Sequence, residues 1–259
     1  MDKIIELAAG KNIYMASDFH LRTGALKRDF EREKIIIQWL ENIKKDAQEI
    51  VLLGDIFDFW FEYRQVVPKG YVRLQGKLAE LSDEGITISI FTGNHDMWMF
   101  GYFEEEMNIK VYHHPQSWQV NNLKLHLGHG DGLGPGDRSY KLLKKIFRSK
   151  SCQWLFSKLH PTLGMGIANR WSKHSRIQST KTDEPFLGEK EWLLQYCKNI
   201  EANQHHDYYL FGHRHLPLEL EVSEQSKYIN LGEWMNHFTF ARVDSSGVKL
   251  KKWQNHEIK

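Results

Sequence analysis

Residues 49–58 read EIVLLGDIFD: four apolar side chains in a row, then a glycine, then two aspartates three residues apart. A short apolar run closed by glycine reads as a strand buried on both faces. Two further runs share this form, NIYMASD at 12–18 and ITISIFTGN at 86–94. Helical patterns lie between them. Phe30–Asp46 turns Ile36, Ile37, Leu40 and Ile43 inward, and Tyr71–Asp83 places Leu74, Leu78 and Leu81 at helical spacing. Apolar strands separated by amphipathic helices predict parallel βαβ units.

Beyond Lys110 the pattern changes. SWQVNNLKLHLGHGD (117–131) predicts a hairpin turning at Asn121–Asn122. A basic stretch follows, then a helix near Glu189–Asn203 and a strand in YYLF (208–211). LPLELEV, KYINLG and FTFARV…GVKLKKW alternate in twos and predict an antiparallel finish. The expected architecture is α/β: two packed sheets with flanking helices, built from 1–136 and 182–259, with a largely helical insertion at 137–181.

At 259 residues the chain can bury the core of one large domain. Its 41% hydrophobic and 26% charged residues are ordinary for a soluble protein. The opening MDKIIELAAGKNIYMASD has no apolar run of signal-peptide length, and no segment is apolar enough to span a bilayer. Cys152 and Cys197 are the only cysteines, which excludes a disulfide framework and a zinc–thiolate cluster. A cytoplasmic location is the default expectation. The net charge of +2 is unevenly spread: residues 137–181 hold eleven lysines and arginines and a single acid, Asp137. Such a segment calls for an anionic partner, whether phosphate, nucleic acid or a membrane surface.

The strand ends carry the chemistry. The first delivers Asp18 and His20 in SDFH, the second Asp55 and Asp58 in GDIFD, the third Asn94, His95 and Asp96 in GNHD. Later strands deliver His129 in GHGD, then His213 and His215 in GHRH. In parallel α/β sheets the carboxyl ends of strands converge on one crevice. Each motif alone is weak, and GHRH alone could be a surface loop. Five in this order, each at a strand end, are not coincidence. Carboxylate, amide and imidazole donors without thiolate suit manganese, iron or zinc. The remaining histidines, His113 and His114 among them, fit no such slot and read as packing or surface residues.

The series D-x-H, G-D-x-x-D, G-N-H-D, G-H and G-H-x-H resembles the calcineurin-like metallophosphoesterases over nearly the whole chain. That resemblance implies a four-layered αββα sandwich holding two divalent metal ions, with Mn²⁺ first among the candidates. It places Asp18, His20, Asp55 and His215 on one metal and Asp55, Asn94, His129 and His213 on the other, Asp55 bridging. A hydroxide between the metals would attack phosphorus. His95 would stabilise the phosphoryl group or protonate the leaving oxygen, Asp96 would orient His95, and Asp58 would hold a ligand histidine, with loop capping as the plainer alternative for both aspartates. Arg214 would point away or toward the substrate.

In the insertion, YKLLKKIFRSK gathers Leu142, Leu143, Ile146 and Phe147 on one helical face and Lys141, Lys144, Lys145 and Arg148 mostly on another. The plain reading is a helical cap with a solvated charged face and a small core of its own. A basic amphipathic element beside a phosphoesterase site also suits an acylated, charged substrate at a membrane surface. Within the superfamily, this cap and HGDGLGPGDRSY resemble the branch that hydrolyses UDP-2,3-diacylglucosamine. That resemblance implies release of UMP and the acylated sugar 1-phosphate in lipid A synthesis. Asp137 and Tyr140 would approach the UDP-linked acylated glucosamine, Arg170, Lys173 or Arg176 would bind phosphate, and the cap would touch the inner membrane. No nucleic-acid module is recognisable. One residue departs: that branch typically has arginine where GNHD has His95, and histidine is the general superfamily choice. A soluble nucleotide pyrophosphatase or phosphodiesterase, and a non-catalytic scaffold of the same fold, are the alternatives.

Overall fold

The structure, a computed structural model, describes residues 2–22, 27–136, 138–168, 170 and 186–254. Alternation within the buried strands builds its layers. One sheet runs in the order β12 (Gly247–Lys252), β11 (Thr239–Asp244), β2 (Asn12–Ala16), β3 (Ala47–Leu53), β4 (Thr87–Phe91), β5 (Lys110–Tyr112). Strands β2, β3, β4 and β5 are parallel, with α1 (Lys27–Ile43), α2 (Val72–Asp83) and the short α3 (Tyr102–Met107) as crossovers. Tyr14, Ala16, Ile50 and Leu52 share an apolar cluster with Trp39 and Leu40 of α1 and Leu74 and Leu78 of α2. Their chain neighbours Met15, Val51 and Leu53 point the other way, into a second cluster that includes Trp118, Leu125, Leu210 and Ile229. Because both faces are covered, the sequence of these strands is a run and not an alternation.

The second cluster joins this sheet to another, ordered β1 (Lys3–Ile5), β6 (Gln116–Val120), β7 (Leu123–Leu127), β8 (Tyr208–Phe211), β10 (Ser226–Leu231), β9 (Pro217–Ser223). Its outer face is covered by α7 (Trp192–Glu201), whose Leu193, Leu194 and Cys197 pack on Tyr209, Phe211 and Tyr228. Helices, sheet, sheet and helix give the expected four layers.

The hairpin turns at Asn121–Asn122 as expected, with Val120 opposite Leu123. The antiparallel finish needs correction. β9 and β12 do pair antiparallel with their neighbours, but β10 lies between β8 and β9 and runs parallel to β8. Burial explains the order: Tyr228, Ile229 and Leu231 have no exposed face, so β10 is central, whereas β9 alternates and takes the edge.

The insertion supplies α4 (Arg138–Phe147), α5 (Lys150–Ser157) and α6 (161–168). It rests on the core through Phe147, Cys152 and Phe156, which pack on Phe61, Met97 and Trp98. The expected solvated charged face holds only in part, for Lys145 is exposed but Lys141, Lys144 and Arg148 are half-buried. Lys141 Nζ donates to Gly134 O (2.5 Å), Lys144 Nζ to Asp131 O (2.7 Å) and Arg148 to His113 O (2.5 Å), so these cations face the core. Leu142 and Ile146 stand outward, 62% and 48% exposed. Lys141, Lys144 and the adjoining Arg148 turn inward because they meet carbonyls and a carboxylate on the core surface, while Lys145 stays exposed and Phe147 packs on the core.

Candidate metal centre

Five turns at strand ends bring the site together, and their backbone is unusual. Asp18, His20, Asp55, His213 and His215 all have positive φ, between 45° and 68°. They are five of the nine non-glycine residues with positive φ among those described, and backbone strain of this kind collects where geometry serves function. Glycine makes the close approaches possible. A Cβ on Gly93 would lie 2.2 Å from Asp55 Oδ1, and one on Gly212 would lie 2.4 Å from Asp18 Oδ2.

Two donor groups result. In the first, Asp18 Oδ1 lies 3.1 Å from His215 Nε2 and 3.6 Å from His20 Nε2. The two Nε2 atoms are 3.0 Å apart, and His20 Nε2 is 3.7 Å from Asp55 Oδ2. In the second, His129 Nε2 lies 3.4 Å from Asp55 Oδ2 and 3.2 Å from Asn94 Oδ1, with the nearer His213 nitrogen in the same cluster. Asp55 belongs to both.

The other atoms of these side chains are already committed. His129 Nδ1 donates to Leu53 O (2.8 Å) and His20 Nδ1 to Asp58 Oδ1 (3.1 Å), so each neutral ring turns an Nε2 lone pair into the site. Asp18 Oδ2 accepts from Ser17 Oγ (2.6 Å) and His213 N (3.0 Å), and Asp55 Oδ1 accepts from His95 N (2.8 Å). Asp18 Oδ1 is buried with no hydrogen-bond partner. An orphaned carboxylate oxygen facing imidazole lone pairs is a site that fits a divalent cation.

Electrostatics point the same way. Burial opposes ionisation of Asp18, yet the neighbouring imidazoles of His20 and His215 hold its carboxyl well below the usual range. Asp55 is likewise held low against its burial, chiefly by His129. His20 and His129 are both pushed up to about 10 against their burial, the first by Asp18 and Asp58 and the second by Asp55. The carboxylates demand positive charge, and the histidine protons stand in for it.

Around the donors, Asp58 joins three groups: Oδ1 to His20, Oδ2 to Arg22 Nε (3.1 Å), and its carbonyl to His95 Nδ1 (2.9 Å). The orientation of His95 thus comes from Asp58. Asp96 does not supply it, because its buried carboxylate is occupied by the backbone N–H groups of Gly93 (2.7 Å) and Ile56 (2.8 Å). Arg214 turns away from the donors into a two-pronged pair with buried Glu191, 2.9 Å at each contact. Tyr140 donates to Asp131 Oδ2 (2.6 Å), which Lys144 also meets at 2.6 Å. Arg170 is exposed, and Asp137, Lys173 and Arg176 lie outside the described residues. Arg22, Asp131 and Lys144 were not anticipated. Only Asp131 had a signal, as the last residue of GHGD.

The family model of the calcineurin-like phosphoesterases matches residues 11–217. The chain belongs to that family, and it is a hydrolase. Among its relatives, the UDP-2,3-diacylglucosamine hydrolase of Porphyromonas gingivalis is 34% identical over 95% of this chain and 98% of its own. The protein of the same name from Histophilus somni is 24% identical over 93% of this chain and 99% of its own. Among solved structures, the phosphoesterase Yfce from E. coli is similar with a TM-score of 0.47 at 15% identity, covering 95% of each chain.

Proposed function

We propose that the protein hydrolyses the diphosphate of UDP-2,3-diacylglucosamine, releasing UMP and 2,3-diacylglucosamine 1-phosphate for lipid A synthesis. The observation that carries this reading is an apolar, outward-facing cap beside a two-group metal centre. Leu142, Ile146, Trp154, Leu155, Leu163 and Ile167 are exposed on the cap, and the nearly full-length relatives bear that enzyme's name.

Asp18, His20, Asp55 and His215 would hold one divalent cation and Asp55, Asn94, His129 and His213 the other, with Mn²⁺ suited to this thiolate-free set. When bound, such cations polarise the phosphoryl oxygens and acidify the attacking water. The chain's own part begins with His95. Its Nδ1–H is held by the Asp58 carbonyl, so Nε2 is the atom left to face the leaving oxygen, to which it would give a proton only as imidazolium. Asp58 keeps His20 and His95 in register, because one residue bonds both rings.

No helix among the described residues is long and apolar enough to cross a membrane. Contact with the inner membrane surface from the cytoplasm would instead use the outward side chains of the cap. The test is incubation of Mn²⁺-loaded protein with UDP-2,3-diacylglucosamine. Release of UMP is the expected result, and intact substrate after many enzyme equivalents would overturn the assignment. A second reading, a soluble nucleotide pyrophosphatase or phosphodiesterase, is favoured by His95 where the lipid branch has arginine. It would leave small-substrate turnover largely intact after deletion of 139–180, whereas the lipid reading requires loss of turnover on the acylated substrate.

A further inference from the structure

The two ends of the metal centre open onto different surroundings. At the His20–His95 end, Asp58 and Asp96 run directly into Phe59 and Met97, part of an apolar wall with Phe61, Trp98, Phe147 and Phe156. At the His129 end the apolar side chains Phe91, Tyr112 and Leu133 are joined by cationic ones. A cavity of about 90 Å³ lies there between the inner face of α4 and the end of β5, reaching from His129 and Asp131 to His113, His114, Lys144 and Arg148.

The cationic side chains of this cavity are held in place. Lys144 stands on α4 and Arg148 is the residue just after its end, and both reach toward the core. Arg148 Nη1 donates to His114 Nδ1 (3.2 Å) and Nη2 to His113 O (2.5 Å). A guanidinium accepts no hydrogen bond, so His114 Nδ1 is the acceptor, and the ring carries its proton on Nε2. Arg148 has five N–H donors, and these contacts use two of them. Lys144 Nζ is bound to Asp131 through two of its three protons. The cavity thus offers spare donors from two fixed cations and an imidazole N–H, next to a metal-ligand histidine. That is the chemistry that recognises a phosphate.

We propose that this cavity receives the phosphate of the nucleoside monophosphate half of the substrate, so that the diphosphate lies across the metal centre with its nucleotide end toward His114 and Arg148 and its acylated end toward the aromatic wall. This deepens the reading of the substrate given above and rests on it. The sidedness follows from matching the anionic half of an amphiphile to the end that holds fixed cations, and the acyl chains to the end where cap and core meet through aromatic side chains.

Product inhibition tests this directly, because hydrolysis makes one product for each end. In the Arg148→Ala protein, the inhibition constant for UMP should rise about tenfold, the worth of one lost charged hydrogen bond. The constant for 2,3-diacylglucosamine 1-phosphate should stay within about twofold of the parent value. His114→Ala, at an exposed position, should raise the UMP constant about threefold and guards against a cap displaced by loss of Arg148. Equal weakening of both products, or of the lipid product alone, overturns the proposed sidedness. Calorimetric titration of UMP onto the Mn²⁺-loaded protein separates this claim from the substrate assignment. UMP binding that weakens in both variants supports the subsite even if UDP-2,3-diacylglucosamine is not turned over. UMP binding that is absent, or unchanged in both variants, removes the subsite whatever the enzyme hydrolyses.

Discussion

Strand β3 with its turn reads as an apolar run and helix α4 as an amphipathic element, and they met opposite fates. β3 alternates its side chains between two covered faces, leaving six of its seven residues buried. Its turn is then tied on every side: His20 N to Asp55 O (2.9 Å), Leu21 N to Ile56 O (3.0 Å), Asp58 N to Leu21 O (2.8 Å), and Ile56 N to Asp96. α4 buries no residue fully, and Lys141 and Lys144, with Arg148 just beyond its end, reach the core. A strand covered on both sides has one way to lie, since a slip of one residue would exchange its faces. A ten-residue surface helix is placed by whichever face finds partners. Here three cations found oxygens, Phe147 found the core, and Leu142 and Ile146 were left for something else to cover.

If the turns of the core are as rigid as this contrast requires, changes there should be severe and confined to function. Asp55→Ala removes the one carboxylate common to both donor groups. Turnover of the diphosphate substrate should fall about a thousandfold or more, the loss of several kcal/mol of cation-derived stabilisation, while the unfolding temperature stays close to that of the parent. A variant that kept even a tenth of parent activity would show that the two groups do not act together. Gly93→Ala should come next. Its methyl group would sit 2.2 Å from Asp55 Oδ1 and 2.6 Å from Asp55 N, so the shared carboxylate must move. A displacement of that order costs about a hundredfold in rate, and metal content measured on the purified variant should fall with it.

The same contrast explains what could be read from the sequence. The parallel strands and their donors were legible because a run closed by Gly54 or Gly93 allows only a buried strand and a tight turn, and the turn residue then has to face the crevice. The strands β1 and β5, three residues each, carry too little pattern to announce themselves. KYINL reads as an alternating antiparallel strand, yet its burial on both faces draws it between two others. The partners of Asp96 were hidden for another reason. An aspartate next to a histidine in sequence suggests a carboxylate–imidazole pair, but five backbone N–H groups crowd the space between the loops, and four of them come within 3.4 Å of that carboxylate while the fifth, of His95, goes to Asp55. Arg22 reaches Asp58 across the fold, and no spacing rule encodes such a contact.

On the cap the expected effects are smaller and concern partners. Trp154 and Leu155 are 59% and 62% exposed, and both would be desolvated at a lipid surface. Replacing both with serine should weaken co-sedimentation with anionic phospholipid vesicles at least tenfold, since each apolar side chain of this size contributes about 1.5–3 kcal/mol when fully covered. Unaltered co-sedimentation would mean that the outward apolar face is not what meets the membrane.

The smallest change tests the joint between the two regions. Tyr140 and Lys144 share Asp131 Oδ2, so the cap is fastened to the turn that carries His129 by two bonds on one oxygen. Tyr140→Phe removes one and leaves the ion pair, and Asp131 is not stranded because Lys144 remains. The cost should therefore be about 1 kcal/mol, the net worth of a single hydrogen bond. It should be seen as faster amide exchange along α4, with the amides of β3 and β7 unchanged. Equal acceleration in the strands would mean that cap and core open as one unit, and the division between a rigid core and a separately mounted cap would be wrong.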